Sequence, residues 1–297
     1  MLKSAFAAIA ATLLLSAGAI ATPSNSGAEE SFLRSLHPAT GDVAIAGANA
    51  VLHLGSNYYF LPADEAKRVL TDVWGNPPDV AEGVLGLVLP AGKTVFDDSW
   101  GAVITFEETG YVSDEDAKTS DYDEIIENIR AAEPEINAER ARGGYAEQHI
   151  VGWAQAPTYD PQTHSLIWAQ NIRFGDQADH SLNYDVRLLG RKGVLSMNML
   201  SSMSHLAETR EAAGKFGRSA EFTPGNRYAD FNPATDAKAD FGIAGLVAAG
   251  VGVAAAKKLG LLALLLAFGK KFLVLILVGA TGIWRWLRNH LKGRAEA

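Results

Sequence analysis

The sequence contains one strand-like segment whose polar side chains could bind a ligand. Asn183, Asp185 and Arg187 alternate with apolar residues, and Arg191 lies in the turn that follows. Because side chains alternate between the two faces of a strand, the first three share one face. Arginine presents a rigid fork of donors, so the pattern predicts an anion or carboxylate site. A solvent-exposed sheet face or a structural Asp–Arg pair gives the same pattern.

Two tryptophans and a polar pair form a second candidate site. Trp153 and Trp168 lie 15 residues apart on consecutive predicted strands, and Asp160 and His164 lie in the turn between them. The tryptophans could form a stacking platform for a sugar or peptide, although such residues more often anchor a core. Asp160 and His164 could orient a nucleophile, but no nucleophile motif accompanies them. We therefore assign no catalytic residue.

The sequence motifs for metals and cofactors are absent. The seven histidines include no H-x-x-x-H or H-E-x-x-H spacing, and the chain has no cysteine for a thiolate metal site. The glycines form no phosphate-binding loop. We predict no metal and no cofactor.

The elements that must position these residues indicate an α+β fold. Grouped strands are interrupted by helices and joined by short links, which favours a mainly antiparallel sheet with packed helices. Ala50–Leu54 and Tyr58–Leu61 are predicted to form a hairpin through Gly55-Ser56-Asn57. Later strands are predicted over Glu147–Gln155, Ser165–Arg173, Leu182–Leu189 and Val194–Leu200.

The charges of the 297-residue chain are strongly partitioned. The formal net charge of −8 combines +1 in residues 1–27, −16 in residues 28–240 and +7 in residues 241–297. An acidic body joined to a basic, apolar end is typical of a solvated domain with a membrane-facing segment. The acidic body disfavours nucleic acid as a partner.

The two ends predict export and membrane anchoring. Residues 1–21 read as a signal peptide, with Lys3 before a short apolar run and Ala19-Ile20-Ala21 as the cleavage site. We expect a flexible lead over 22–40, an exported domain over 41–235, a transmembrane helical segment within 241–291 and a basic tail over 292–297. The positive-inside rule places that tail in the cytoplasm and the body in the periplasm. The number and register of the spans stay open.

Several ordered strings resemble the bacterial membrane-anchored proteins grouped as domain of unknown function 2167. The resemblance covers roughly residues 41–290 and is carried by Trp74-Gly75-Asn76-Pro77-Pro78, Gly110-Tyr111-Val112-Ser113-Asp114, Gly152-Trp153-Ala154, Tyr159-Asp160, Trp168-Ala169, Leu182-Asn183-Tyr184-Asp185-Val186-Arg187, Leu189-Gly190-Arg191 and Tyr228-Ala229-Asp230-Phe231. It implies an exported domain tethered by its C-terminus. The family offers no catalytic residues to carry over.

Two functions are consistent with the sequence. The first is a non-enzymatic periplasmic domain at the inner membrane, in contact with the bilayer and binding an envelope protein or glycan. The second is a membrane-tethered hydrolase or transferase that uses the Asp/Arg strand face. Oligomerisation through the basic, glycine-rich tail is a further expectation.

Overall fold

A computed structural model of the protein describes residues 26–76 and 78–250. The predicted signal peptide, the greater part of the predicted membrane segment and the basic tail therefore lie outside the described residues. Within the described ranges, none of the helices has the length and apolar character needed to cross a bilayer.

Helices and strands are interspersed along the described residues. The helices are α1 (Ser26–Arg34), α2 (Ala63–Arg68), α3 (Tyr122–Ala131), α4 (Glu133–Arg142), α5 (Leu206–Phe216) and α6 (Ile243–Ala249). The strands are β1 (Asp42–Ile45), β2 (Ala50–His53), β3 (Tyr58–Pro62), β4 (Val84–Pro90), β5 (Gly101–Glu107), β6 (Tyr111–Ser113), β7 (Gln148–Asp160), β8 (Ser165–Phe174), β9 (Ser181–Leu189), β10 (Val194–Ser202), β11 (Ala220–Phe222) and β12 (Lys238–Gly242).

A seven-stranded antiparallel sheet dominates the fold and confirms the predicted α+β class. Its strand order is β3-β4-β5-β10-β9-β8-β7. The four strands predicted from alternating apolar residues, β7 to β10, are consecutive neighbours in it. A smaller antiparallel sheet has the order β1-β2-β11, and β6 pairs in parallel with β12.

The two faces of the main sheet are covered by different elements. On one face, the small sheet and α5 enclose a core that includes Leu52, Met197 and Phe216. On the other face, α2 packs over the β3–β5 end around Leu70 and Leu87. Helices α3 and α6 contribute to the apolar clusters at the β7–β8 end. Asp185 and its polar neighbours lie on this second face, on the central strands between the two apolar regions.

The predicted hairpin between β2 and β3 is wrong. Strand β2 pairs with β1 and β11, whereas β3 pairs with β4 in the main sheet. Gly55 does turn the chain, with a φ of 57°. The turn leads from one sheet to the other, because Leu52 and Leu54 are buried in the core that lies between the sheets.

The predicted flexible lead over 22–40 is also wrong from residue 26 onward. Residues 26–34 form α1, and Phe32, Leu33 and Leu36 pack against the α2 core. The Phe32 ring meets Phe96 edge-on at 5.9 Å, and the Arg68 guanidinium lies 4.7 Å from the Phe32 centroid. The segment before β1 is therefore part of the folded domain.

The C-terminal boundaries of the domain also need correction. Residues 238–249 form β12 and α6, and the side chains of Ile243, Leu246 and Val247 are fully buried. The predicted exported domain over 41–235 thus ends too early. The first residues of the predicted membrane segment over 241–291 complete the core of the domain, and the prediction of a membrane segment in the residues that follow stays a prediction.

Candidate functional site

A strip of polar side chains crosses the second face of the main sheet. We define the polar strip as Gln170, Asn183, Asp185, Arg187 and Asn198. The strand register fixes it: Asp185 lies opposite Trp168 on β8 and opposite Asn198 on β10. Asn183 lies opposite Gln170, and the side-chain Nδ2 of Asn198 donates to the side-chain Oδ1 of Asn183. The alternation in β9 therefore does place the three predicted residues on one face.

Burial distinguishes this strip from a solvent-exposed sheet face. Asp185 is 1% exposed and Arg187 is 4% exposed, so the expectation of a wet face is wrong. Arg187 pairs with two carboxylates, with Nη1 3.1 Å from Glu107 Oε1 and Nη2 3.5 Å from Asp185 Oδ1. Its guanidinium also lies 5.2 Å from the centroid of Trp168. The structural Asp–Arg pair is thus the alternative that the geometry supports.

The charges in the strip argue against an anion site. One guanidinium faces two carboxylates, so the positive charge is already neutralised by Asp185 and Glu107. Burial raises the pKa of the Asp185 carboxyl, although Arg187 opposes the shift. A carboxyl that is protonated more readily than usual can donate a hydrogen bond as well as accept one. The strip therefore suits neutral polar groups better than anions.

Several atoms of the strip have no protein partner among the described residues. They are Asp185 Oδ2, Arg187 Nε, Gln170 Nε2 and Asn198 Oδ1, together with Trp168 Nε1 beside them. A buried polar group without a partner costs about 1–3 kcal/mol. Several such groups in one place lower the stability of the folded domain. Local losses of this kind are expected mainly at functional sites, so the strip is a candidate functional site.

Arg191 lies apart from the strip and serves another purpose. Its Nε donates to Asp236 Oδ2 at 2.7 Å, and its Nη2 donates to Asp236 Oδ1 at 2.9 Å. The hydrogen bonds from the Arg191 guanidinium and from the Asn232 backbone N–H hold the pKa of the Asp236 carboxyl well below its usual range. The predicted patch of four residues is therefore split. Arg191 fixes the loop between β11 and β12 instead.

The two tryptophans do not form a stacking platform. Trp168 is fully buried in the core beneath α6. Trp153 is partly buried, and its Nε1 donates to the Tyr122 carbonyl oxygen at 3.1 Å. The register places Trp153 opposite Gln170 rather than opposite Trp168. Both residues act as anchors between the sheet and the helices that cover it.

Asp160 and His164 lie in the β7–β8 turn but have separate partners. Asp160 Oδ1 accepts a hydrogen bond from the Gln162 N–H at 2.8 Å, and this contact lowers the pKa of Asp160. His164 Nδ1 lies 3.1 Å from the Tyr159 hydroxyl, which donates to Asp114 Oδ2 at 2.8 Å. Because the hydroxyl proton points to Asp114, His164 Nδ1 must be the donor in its contact with Tyr159.

His164 also begins a stack of rings that sequence reasoning missed. The ring centroids are 4.3 Å apart for His164 and Tyr228, 4.5 Å apart for Tyr228 and Tyr111, and 3.9 Å apart for Tyr111 and Phe231. These rings come from three distant segments, so spacing along the chain gave no signal. His164 has a φ of 52°, which is rare for a residue with a side chain.

The strip and the His164 cluster do not form a joint site. The His164 carbonyl oxygen accepts from the Leu189 N–H at 2.9 Å. Leu189 lies two residues along β9 from Arg187 and four from Asp185, so about 7 Å and about 13 Å of strand separate this contact from those two members of the strip. A cavity of about 150 Å³ lies near the turn, lined by Tyr159, Asp160 and Arg218 among others. None of the strip residues lines it.

The described residues also offer no metal centre. They contain no group of three or more His, Asp or Glu side chains arranged to hold an ion. The prediction that the protein has no metal or cofactor stays a prediction.

Comparison with known families identifies the chain. A family model described as "Protein of unknown function (DUF2167)" matches residues 37–281. The match spans most of the sequence, so the chain belongs to the DUF2167 family, as the ordered strings indicated. No curated protein matches the sequence.

The solved structures that match the chain include one of low similarity. It is the solution structure of cyanobacterial PsbP (CyanoP) from Synechocystis sp. PCC 6803, with 7% sequence identity and a TM-score of 0.35. The alignment covers 63% of this chain and 92% of that one.

Proposed function

We propose that this DUF2167 protein is an exported binding domain held at the bacterial inner membrane. In this proposal the acidic α+β domain lies in the periplasm, the apolar C-terminal segment crosses the bilayer and the basic tail lies in the cytoplasm. The charge partition supports it, with −16 in residues 28–240 and +7 in residues 241–297. An envelope protein or a glycan is the proposed partner, besides the lipid bilayer itself.

One observation favours a binding role over catalysis: the candidate catalytic side chains are held by structural partners. Asp160 accepts from the turn backbone, His164 is held by Tyr159 and Tyr228, and Arg191 is paired with Asp236. An enzyme needs such groups to converge on one accessible pocket. In the described residues they lie in separate places with structural partners.

The way α6 joins the domain supports anchoring by the C-terminal segment. Asp116 accepts hydrogen bonds from the Ile243 and Ala244 N–H groups, at 2.8 and 3.0 Å. The buried side chains of α6 fix the same stretch in the core. The apolar residues from 251 onward follow α6 in sequence without a polar linker. In this proposal the apolar sequence that follows α6 tethers the domain to the bilayer.

The alternative function is a membrane-tethered hydrolase or transferase that uses the Asp/Arg strand face. The raised pKa of Asp185 favours it, because a protonated carboxyl is suited to act as a general acid. The near-complete burial of Asp185 and Arg187 counts against it, because a substrate must reach the reacting groups.

Fractionation of bacterial cells tests the location. We compare the full chain with a chain that ends at Gly250, since a chain ending before Phe241 would lose α6 from the core. The full chain is expected in the membrane fraction. Protease added to intact spheroplasts is expected to cut its α+β domain. The shorter chain is expected in the periplasmic fraction. A shorter chain that stays with membranes, or a body shielded from protease in intact spheroplasts, would contradict the proposal.

Affinity capture from membranes tests the binding role. The full chain is expected to retain a specific partner, and the Asp185→Asn and His164→Gln variants are expected to retain it equally. Recovery of no specific partner by the full chain would favour the enzyme instead.

A further inference from the structure

A second cavity lies at one end of the small sheet, and no residue of the polar strip lines it. Its volume is about 180 Å³. At about 30 Å³ per water it has room for roughly six waters, which suits a small ligand. The Phe106 and Phe222 side chains form one wall, with ring centroids 6.2 Å apart at 68°. Phe222 is 4% exposed and Phe106 is partly exposed, so Phe106 supplies most of the apolar surface that a ligand could contact.

Polar side chains of both charges line the same cavity. Glu108 and Lys192 are exposed at its wall, and Asn49 and Asn226 line it as well. Within residues 26–76 and 78–250, the side chains of Asn49, Glu108 and Lys192 make no hydrogen bond or ion pair. Asn226 uses its Nδ2 to donate to Thr223 Oγ1 at 3.2 Å, which leaves its side-chain oxygen for another partner.

The backbone holds Glu108 and Lys192 near each other without pairing them. Strand β5 ends at Glu107, which lies opposite Val194 at the start of β10. The Gly110 N–H donates to the Lys192 carbonyl oxygen at 3.0 Å and fixes the turn. No nitrogen–oxygen contact within 4.0 Å joins the two side chains in the described structure. Each charge is therefore free to meet the opposite charge of a ligand.

Asn49 has a conformation that usually belongs to glycine. Its φ is 51°, in the left-handed region, at the end of the short helix over 46–48. Thr223 holds it there, because its N–H and hydroxyl donate to the Asn49 carbonyl oxygen at 2.9 and 3.0 Å. Asparagine is common in this region at the end of a helix, so the conformation of Asn49 is explained by the turn itself.

We propose that this cavity binds a zwitterionic α-amino acid with an apolar side chain. Lys192 binds the carboxylate, Glu108 binds the ammonium group, and the apolar side chain packs on Phe106 and Phe222. A simple anion would meet Glu108 and a simple cation would meet Lys192, whereas a neutral sugar could hydrogen-bond to both side chains but would supply no counter-charge to either. The inference goes beyond the proposed binding role, because it adds a small-molecule ligand to the envelope protein or glycan proposed above, and its test does not depend on the location of the protein.

Calorimetric titration of the detergent-solubilised full chain tests the proposal. The probes are L-leucine, N-acetyl-L-leucine, which has no ammonium group, and L-leucinamide, which has no carboxylate. L-leucine is expected to bind, and each blocked analogue is expected to bind about tenfold more weakly, the loss of one charged hydrogen bond. Equal binding of all three, no saturable binding of L-leucine, or tighter binding of N-acetylglucosamine would overturn the proposal.

Two variants assign the charge contacts separately. Lys192→Ala is expected to abolish the preference for L-leucine over L-leucinamide. Glu108→Gln is expected to abolish the preference for L-leucine over N-acetyl-L-leucine. Lys118→Ala and Glu115→Gln remove exposed charges outside the cavity and are expected to change neither preference. If the controls and the cavity variants behave alike, the cavity is not the binding site. A failed titration leaves the fractionation and capture results unaffected, so the two proposals fail separately.

Discussion

Asn137 on α4 binds the backbone of Gln148 on β7 in the way that a neighbouring strand would. Its Nδ2 donates to the Gln148 carbonyl oxygen at 2.9 Å, and its Oδ1 accepts from the Gln148 N–H at 2.8 Å. Two residues further along β7, the Ile150 backbone is bound in the same way. Its N–H donates to Glu133 Oε1 at 2.6 Å, and the Ile150 carbonyl oxygen accepts from Arg130 Nε at 3.0 Å. Because β7 is an edge strand of the main sheet, these side chains occupy groups that would otherwise invite another strand.

The first prediction concerns this protected edge. Asn137→Ala leaves two backbone groups of Gln148 without their partner and is expected to lower the free energy of unfolding by about 1–3 kcal/mol. It should also increase association of the domain, because the freed edge can pair with a second copy. Chemical denaturation and sedimentation of the detergent-solubilised full chain measure the two effects.

The control for this prediction is Glu139→Ala on the same helix. Glu139 makes a 3.8 Å ion pair with Arg142 on the exposed side of α4, and such pairs contribute little to stability. The control should leave stability and association nearly unchanged. An Asn137→Ala protein that matches the control in both measurements would refute the strand-like role of Asn137.

The elements were predictable from sequence where local pattern decides them. Alternation of apolar and polar residues placed β9 and β10 and the short link between them, since burying one face of a strand imposes a period of two. Sheet membership was not predictable in the same way. The turn at Gly55 fits a hairpin locally, but β2 joins a different sheet because Leu52 packs between the two sheets.

The candidate site was predictable as a set of residues on one face, but its environment was not. Alternation put Asp185 and Arg187 together, yet it could not show what covers that face of the sheet. Glu107, which pairs with Arg187, lies 80 residues away in sequence, and Asp236, which pairs with Arg191, lies 45 residues away. Such partners depend on the topology of the whole domain, and no local spacing encodes them.

The second prediction concerns the buried charges of the polar strip. Arg187→Met leaves Asp185 and Glu107 without their shared counter-charge and is expected to cost about 3–5 kcal/mol of stability. The same substitution in an Asp185→Asn background should cost less, because one of the stranded carboxylates is gone. Chemical denaturation of the four proteins gives the coupling between the two residues. Additive losses would contradict a direct Arg187–Asp185 interaction.

The third prediction concerns pH and His53. Its Nδ1 lies 2.8 Å from Asp42 Oδ1 across β1 and β2, and its Nε2 lies 3.5 Å from Glu221 on β11. The Asp42 hydrogen bond raises the pKa of His53 above its usual value. A raised pKa in the folded state means that protonated His53 stabilises the small sheet below the unfolded-state pKa. That stability is lost as the pH rises through the folded-state pKa.

Unfolding curves at pH 5 and pH 8 test the role of His53. The contribution is expected to be small, because the side chain is 44% exposed and solvent screens it. His53→Gln should reduce the decrease in stability between the two pH values, whereas His180→Gln should leave its size unchanged. A decrease that persists unchanged in His53→Gln would assign the pH dependence to other groups.

The last prediction concerns the connection between the domain and the C-terminal segment. Asp116 accepts from the first two N–H groups of α6, which lie at the positive end of the helix. Asp116→Ala leaves these donors without their carboxylate and is expected to cost about 0.5–2 kcal/mol, the usual loss for a removed helix cap. The loss should be local to α6, because the hydrogen bonds that the Asp116 carboxylate accepts within the described residues come from the first two N–H groups of this helix.

Limited proteolysis of the full chain measures that local loss. Cleavage within residues 238–250 should become faster in Asp116→Ala, while cleavage elsewhere in the domain stays slow. Glu115→Ala removes a neighbouring exposed carboxylate and should leave the pattern unchanged. Equal cleavage rates in both variants would mean that the buried side chains Ile243, Leu246 and Val247 hold α6 without help from Asp116. Apolar packing rather than the helix cap would then hold α6 in the domain.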